Sequence, residues 1–202
     1  MEGIIESNYF SFEQYKGLVE KYKTEDRREI NFQNRIVLPM LDKLLVGDDR
    51  NISIVDVSTQ YKNRESSIHT RKYYANVHTP DLLIVKNWNY NNKNKLAQDY
   101  LAVVEIKSPS LDPINNDNPH TTDEVRDYID NGSKVILTDC YRWVFYEPKK
   151  EPVQFTLHDA NGWKLIEVKN DDFLVQQLGF EKTRLESKEW GELIAHIEKM
   201  FR

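Results

Sequence analysis

An acid and a base stand two residues apart at the end of an apolar run. The segment Tyr100-Leu-Ala-Val-Val-Glu-Ile-Lys-Ser-Pro109 contains a short stretch, Leu101 to Val104, that reads as a buried strand. The extended pattern continues through Glu105 and Lys107. Side chains two apart on a strand share a face, so Glu105 and Lys107 point the same way, with Ile106 turned into the core behind them. Pro109 has no N–H for a ladder and ends the strand. Charges are rarely buried without partners, and a partner lies upstream. Thr79-Pro80-Asp81 opens a second apolar strand, Leu82-Leu-Ile-Val85. A hairpin from Asp81 to Glu105 brings two carboxylates together beside the lysine. Carboxylate oxygens suit Mg²⁺, and a fixed positive charge stabilises a transition state that gains negative charge.

These residues need elements to hold them. Ser11 reads as the N-cap of a first helix, with apolar residues at Phe12, Tyr15, Leu18, Val19 and Tyr22 in helical spacing. Thr24 reads as the cap of a second helix, running through Glu29, Phe32, Ile36, Val37, Met40, Leu41, Leu44 and Leu45, with Pro39 as a candidate kink. Ile52 to Thr59 alternates apolar and polar as a half-buried strand does. Tyr61 to His78 reads as polar strand extensions and a loop, and Lys86 to Lys95 as a hairpin tip. Pro109 to Thr122 reads as a long loop, and Asp123 to Asp130 as a short helix ended by Asn131-Gly132. Lys134 to Thr138 and Arg142 to Tyr146 read as two strands joined by a tight turn. Asn161-Gly162 is a hairpin signal between Phe155–His158 and Trp163–Val168. Asp171 to Leu178 and Ser187 to Phe201 read as amphipathic helices.

The 202 residues are enough for one sizeable core. The expectation is a single domain over residues 1–202, with its core at about 24–148. A helix at 11–23 and a hairpin plus helices at 153–202 are additions. No apolar run approaches a membrane span, and the start shows no signal-peptide pattern. The single cysteine, Cys140, excludes an internal disulfide and a multi-cysteine zinc site. Together these point to a cytoplasmic protein with no membrane partner. A net charge of -5 argues against indiscriminate nucleic-acid binding but leaves room for a local basic surface.

The order is helix, strand, strand with Asp81, strand with Glu105-Ile106-Lys107, helix, strand, strand. This ordered set resembles the motif of the PD-(D/E)xK, or restriction-endonuclease-like, nuclease superfamily. Arg28-Glu29 through Leu38-Pro39-Met40-Leu41 resembles the superfamily's first core helix. Glu124-Val-Arg-Asp-Tyr128, followed by Val135-Ile-Leu-Thr-Asp and Arg142-Trp-Val-Phe-Tyr, resembles the nuclease domain of type I restriction motor subunits. That domain has glutamine where this chain has Glu124. The resemblance covers roughly Glu29 to Tyr146. It implies an α/β fold with a restriction-endonuclease-like core: a central mixed sheet of about five strands flanked by helices, with a C-terminal hairpin and helices.

The resemblance also implies a DNA-cutting enzyme, an endonuclease rather than an exonuclease, in restriction, defence or mobile-element biology. Asp81, Glu105, the Ile106 carbonyl and Glu29 would hold Mg²⁺, with Mn²⁺ as a substitute. Lys107 would orient or deprotonate the attacking water or stabilise the phosphorus centre. A lysine at its ordinary pKa is a poor base, so orientation and charge stabilisation fit better. Glu124 and Tyr128, one helical turn apart on a shared face, would support the site. DNA contacts would come from Arg71, Lys72, Lys86, Lys93 and Lys95, with Trp88 and Tyr90 available to stack on bases. A homodimer, or membership of a larger complex, is compatible with this.

Plainer readings stand beside each of these. Asp81 could cap a turn, Glu105 and Lys107 could be a solvated pair, Glu29 a helix-surface charge, Tyr128 a core residue, and the lysine-rich hairpin tip simply soluble. His78 and His120 read as loop residues, and Trp143 and Trp163 as sheet packing. The alternative function is a non-catalytic or partner-dependent subunit of the same fold, acting as a nucleic-acid-binding or interaction module. A third is an α/β structural protein with an accidental motif.

Overall fold

The computed structural model describes residues 10–47, 51–58, 78–89, 99–109, 119–158, 165–170, 173–178 and 184–201. Of these, 119–122, 165–170 and 173–178 are described by their backbone alone. Helix α1 (Phe12–Glu25) starts at a reciprocal cap: Ser11 Oγ accepts from the Gln14 N–H, and Gln14 Oε1 accepts from the Ser11 N–H. The second helix does not begin at Thr24, whose hydroxyl instead donates back to the Glu20 carbonyl inside α1. The chain breaks at Asp26, where the Arg28 guanidinium clamps the Asp26 carboxylate. Those hydrogen bonds hold its carboxyl well below the usual range.

From there α2 (Glu29–Phe32), a π-helical turn (Gln33–Val37) and α3 (Leu38–Leu45) run on without a gap. Pro39 explains the widened turn. Its ring would crowd the Arg35 carbonyl in a regular helix. Shifting the Leu38 N–H back five residues, onto the Gln33 carbonyl, relieves that contact.

Six strands form one open sheet in the order β1-β2-β3-β4-β5-β6. They are β1 (Ile52–Asp56), β2 (Leu82–Lys86), β3 (Asp99–Ile106), β4 (Val135–Thr138), β5 (Arg142–Tyr146) and β6 (Val153–Thr156). Among the described residues, only the β3–β4 pair is parallel. A parallel pair needs a crossover, and α4 (Pro119–Asp130) provides it. Its backbone starts four residues before the expected Asp123. It ends in a Schellman turn, with Gly132 at φ 81° and the Ser133 N–H on the Tyr128 carbonyl.

The chain is thus α/β, with a mixed sheet of six strands where about five were expected. Among the described residues, no helix is long and apolar enough to cross a membrane. Alternation along the strands divides the interior in two. Leu82, Ile84, Val104, Ile106, Trp143 and Phe145 join α1 to α3 and the last helix, α5 (Trp190–Met200), in the larger cluster. Leu83, Val85, Val103, Val135 and Leu137 face Val125 and Tyr128 of α4.

Two C-terminal expectations fail. Strand β6 pairs with β5, so Phe155–His158 is not one arm of a hairpin across Asn161-Gly162; that turn itself lies outside the described residues. The stretch expected as a helix at 171–178 contains a strand, β8 (Phe173–Leu178). It pairs antiparallel with β7 (Leu165–Asn170) in a separate two-stranded sheet. A six-residue run such as Phe-Leu-Val-Gln-Gln-Leu suits either period. The neighbouring β7, two residues away across Asp171-Asp172, decides it.

Candidate active site

The register of β2 and β3 sets the geometry. Leu82 lies opposite Val104, so one step further Asp81 faces Glu105. Directly opposed residues have Cβ atoms about 5 Å apart. Asp81 Oδ2 accepts the Ile106 backbone N–H at 2.7 Å. The Lys107 ammonium donates to Glu105 Oε1 at 2.6 Å and reaches Glu124 Oε2, on α4, at 3.4 Å. The Lys107 backbone is itself pinned, its N–H donating to the Thr138 carbonyl of β4 at 2.8 Å.

Helices from both faces of the sheet meet at this strand end. On one side α4 brings Glu124. On the other, the Ser108 hydroxyl donates to the Arg27 carbonyl at 2.8 Å, which holds the start of α2 against the exit of β3. Glu29 then receives the Ser108 backbone N–H and senses the Lys107 charge. The structure brings together Asp81, Glu105, Ile106, Lys107, Glu29 and Glu124. They lie at the carboxyl end of β3, a common position for sites in α/β sheets.

Four carboxylates surround one ammonium, and the imbalance shows in their protonation. Burial first, then the Asp81 charge, raise Glu105 to about 8 against the pull of Lys107. Burial likewise raises Asp81 to about 7, opposed by the Ile106 N–H and reinforced by Glu29. Burial also raises Glu29. For Lys107, burial acts to lower the pKa, but Glu105, Glu124 and Glu29 outweigh it and raise it well above the ordinary lysine value. Lys107 is therefore a fixed cation and not a base at neutral pH.

Glu105 is only 6 % exposed, and its Oε2 has no hydrogen-bond partner among the described residues. A buried carboxylate oxygen without a donor is costly. With the opposed Asp81 carboxylate, it is where a hard cation would fit. Among the described residues, no three His, Cys, Asp or Glu side chains form a ready-made cage. Mg²⁺ does not require one, since it keeps several waters and uses one or two carboxylates plus substrate phosphate oxygens. Asp81, Glu105 and the Ile106 carbonyl fit that requirement, with Glu29 near enough to share the charge.

Of the expected nucleic-acid contacts, the two among the described residues, Lys86 and Trp88, lie away from this strand end. Lys86 ends β2, five residues from Asp81, or about 16 Å along a strand. Trp88 lies beyond it and packs against the α4-side cluster. Arg71, Lys72, Tyr90, Lys93 and Lys95 lie outside the described residues. Tyr128 is fully buried in that same cluster, and its ring meets His78 edge-on with centroids 6.3 Å apart. His78 in turn pairs with Asp127 at 2.7 Å.

The sequence did not single out Gln33. It is buried in the π-helical turn, and its amide donates to Ser58 Oγ at 3.0 Å. Ser58 Oγ also donates to Asp56 Oδ1 at 2.8 Å. This link ties the helix to the end of β1, beside Asp81, whose carbonyl accepts the Val57 N–H at 3.2 Å. A glutamine on the apolar side of the helical pattern was the available signal. Comparison with known proteins places no other chain beside this arrangement: no family model, no curated protein and no solved structure matches it.

Proposed function

We propose that this chain is a metal-dependent nuclease with a restriction-endonuclease-like core, hydrolysing DNA phosphodiester bonds. The observation that carries the reading is the unpartnered Oε2 of Glu105, buried across the β2–β3 ladder from Asp81 with Lys107 bonded to the other oxygen. A purely structural ion pair has no use for a second carboxylate that raises the cost of burying the first. Asp81, Glu105 and the Ile106 carbonyl hold Mg²⁺, and Glu29 adds to the field that draws it in. The bound ion supplies charge neutralisation at the phosphate and a more acidic water. Lys107 stays protonated, positions the nucleophile and stabilises the negative charge that builds on the phosphoryl oxygens. Glu124 and the Thr138 carbonyl fix the lysine's approach.

The test is cleavage of supercoiled, linear and single-stranded DNA with Mg²⁺ or Mn²⁺, beside the Lys107→Ala protein. Cutting that requires metal and is lost in Lys107→Ala supports the reading. Metal-dependent cutting that Lys107→Ala leaves unchanged overturns the assignment. No cutting by either protein turns the reading to a subunit that acts only with a partner.

A further inference from the structure

The 2.6 Å contact between Lys107 Nζ and Glu105 Oε1 has a consequence for how a cation enters. That oxygen belongs to the carboxylate the proposed ion needs, and an ammonium already sits on it. The second acceptor within reach is Glu124 Oε2, 3.4 Å from the same nitrogen. Glu124 rides on α4, a helix held to the sheet by Val125 and Tyr128, so its position is fixed by packing. Its side chain is about one-third exposed, against 8 % for Glu105, so it carries its charge at less desolvation cost. Glu29 acts on the ammonium through its charge, while the ion pairs of Lys107 among the described residues are with Glu105 and Glu124. The lysine stem is flexible and its head is a compact charge that rotates freely between acceptors.

We propose that the Lys107 ammonium serves as an internal counterion for the Asp81–Glu105 pair until a divalent cation arrives. It is then handed to Glu124, which is the positioning residue that receives it. This rests on the reading of the pair as a cation site, and it adds a defined exchange partner for that cation. Without Lys107, the two buried carboxylates would repel each other with no cation bonded to Glu105. Without Glu124, the displaced ammonium would lose its nearby acceptor and would compete harder for Glu105.

The test is Mn²⁺ binding to the full chain by titration calorimetry, without nucleic acid, across a double-mutant cycle. Glu124→Gln is expected to weaken Mn²⁺ binding about tenfold while Lys107 is present, the scale of one charge-assisted hydrogen bond. In Lys107→Gln, the same change is expected to alter affinity by less than about twofold, because no ammonium remains to be received. Equal losses in both backgrounds would overturn the exchange and make Glu124 an ordinary contributor to the field. Should Lys107→Gln fail to fold, Glu124→Asp decides. It keeps the charge but withdraws the acceptor, so a loss like that of Glu124→Gln supports the exchange and unchanged affinity overturns it. Absence of Mn²⁺ binding in every foldable variant also overturns it. The cleavage assay judges the nuclease reading separately, since an additive cycle leaves metal-dependent cutting intact.

Discussion

The Asp81 carboxylate accepts the Ile106 backbone N–H at 2.7 Å, so one side chain both closes the β2–β3 ladder and faces Glu105. Those two roles can be separated. Asp81→Asn keeps an oxygen acceptor for the Ile106 N–H and removes a charge opposed to Glu105. The metal-free variant is expected to melt several degrees above the wild type at pH 8. Asp81→Ala removes the acceptor as well and leaves a buried N–H unpaired, at a cost of about 1–3 kcal/mol. Thermal melts of the three proteins check the order, and an alanine variant as stable as the asparagine variant would deny the hydrogen bond its role.

The stability of the metal-free protein is expected to fall as pH rises from about 4 to about 8. Asp81 and Glu105 have folded-state values raised above those of the unfolded chain, chiefly by burial. The folded state therefore binds more protons, and the slope of unfolding free energy against pH is negative. Their contribution is fully present below the unfolded carboxylate range and is lost as pH passes through about 7 to 8. Lys107 does not offset that loss, because its charge is unchanged throughout that window. Urea titrations at several pH values read the slope, and Glu105→Gln should flatten most of it.

Much of this cluster was legible because strand alternation is rigid. Once Leu101–Val104 reads as a strand, Glu105 and Lys107 must share a face and Ile106 must oppose them, and the structure places them so. The Asp81–Glu105 encounter followed from the hairpin, and the helix with Glu124 from the Asp123–Asp130 stretch that Asn131-Gly132 ends. Thr24 misled because threonine caps helices and also bonds back within them; Asp26 and Arg28 make the break instead. Phe173–Leu178 misled because a short apolar run does not reveal its period, and its partner strand decides the matter. Gln33 is 25 residues from Ser58, so its meeting with the Ser58–Asp56 pair depends on a packing that no local pattern encodes.

A second polar network lies deep in the larger core cluster and offers a control. The Tyr15 hydroxyl donates to the Cys140 carbonyl at 2.7 Å and accepts from Trp143 Nε1 at 3.1 Å. Cys140 sits at φ 66° in the β4–β5 turn, so the tyrosine from α1 steadies a backbone conformation that few side chains adopt. Tyr15→Phe would orphan a buried carbonyl and a buried indole N–H. The expected loss is about 2–4 kcal/mol by urea denaturation. Metal binding should be unaffected, because the network touches none of the site carboxylates. A loss below about 0.5 kcal/mol would mean that water satisfies both groups.

Divalent cations and protons compete for the same two carboxylates, which gives the proposed site a pH signature. At pH 6, Asp81 and Glu105 carry protons that a cation must displace, since their values are raised to about 7 and about 8. At pH 8.5, both are largely ionised and the repulsion between them is at its greatest. Mg²⁺ at a fixed excess is therefore expected to raise the melting temperature more at pH 8.5 than at pH 6, because a ligand stabilises in proportion to its affinity for the folded state. Titration at pH 7 in two buffers of different ionisation enthalpy should show proton release on binding. Glu105→Gln should abolish both effects. A stabilisation by Mg²⁺ that is equal at the two pH values, and that survives Glu105→Gln, would place the ion somewhere other than this strand end.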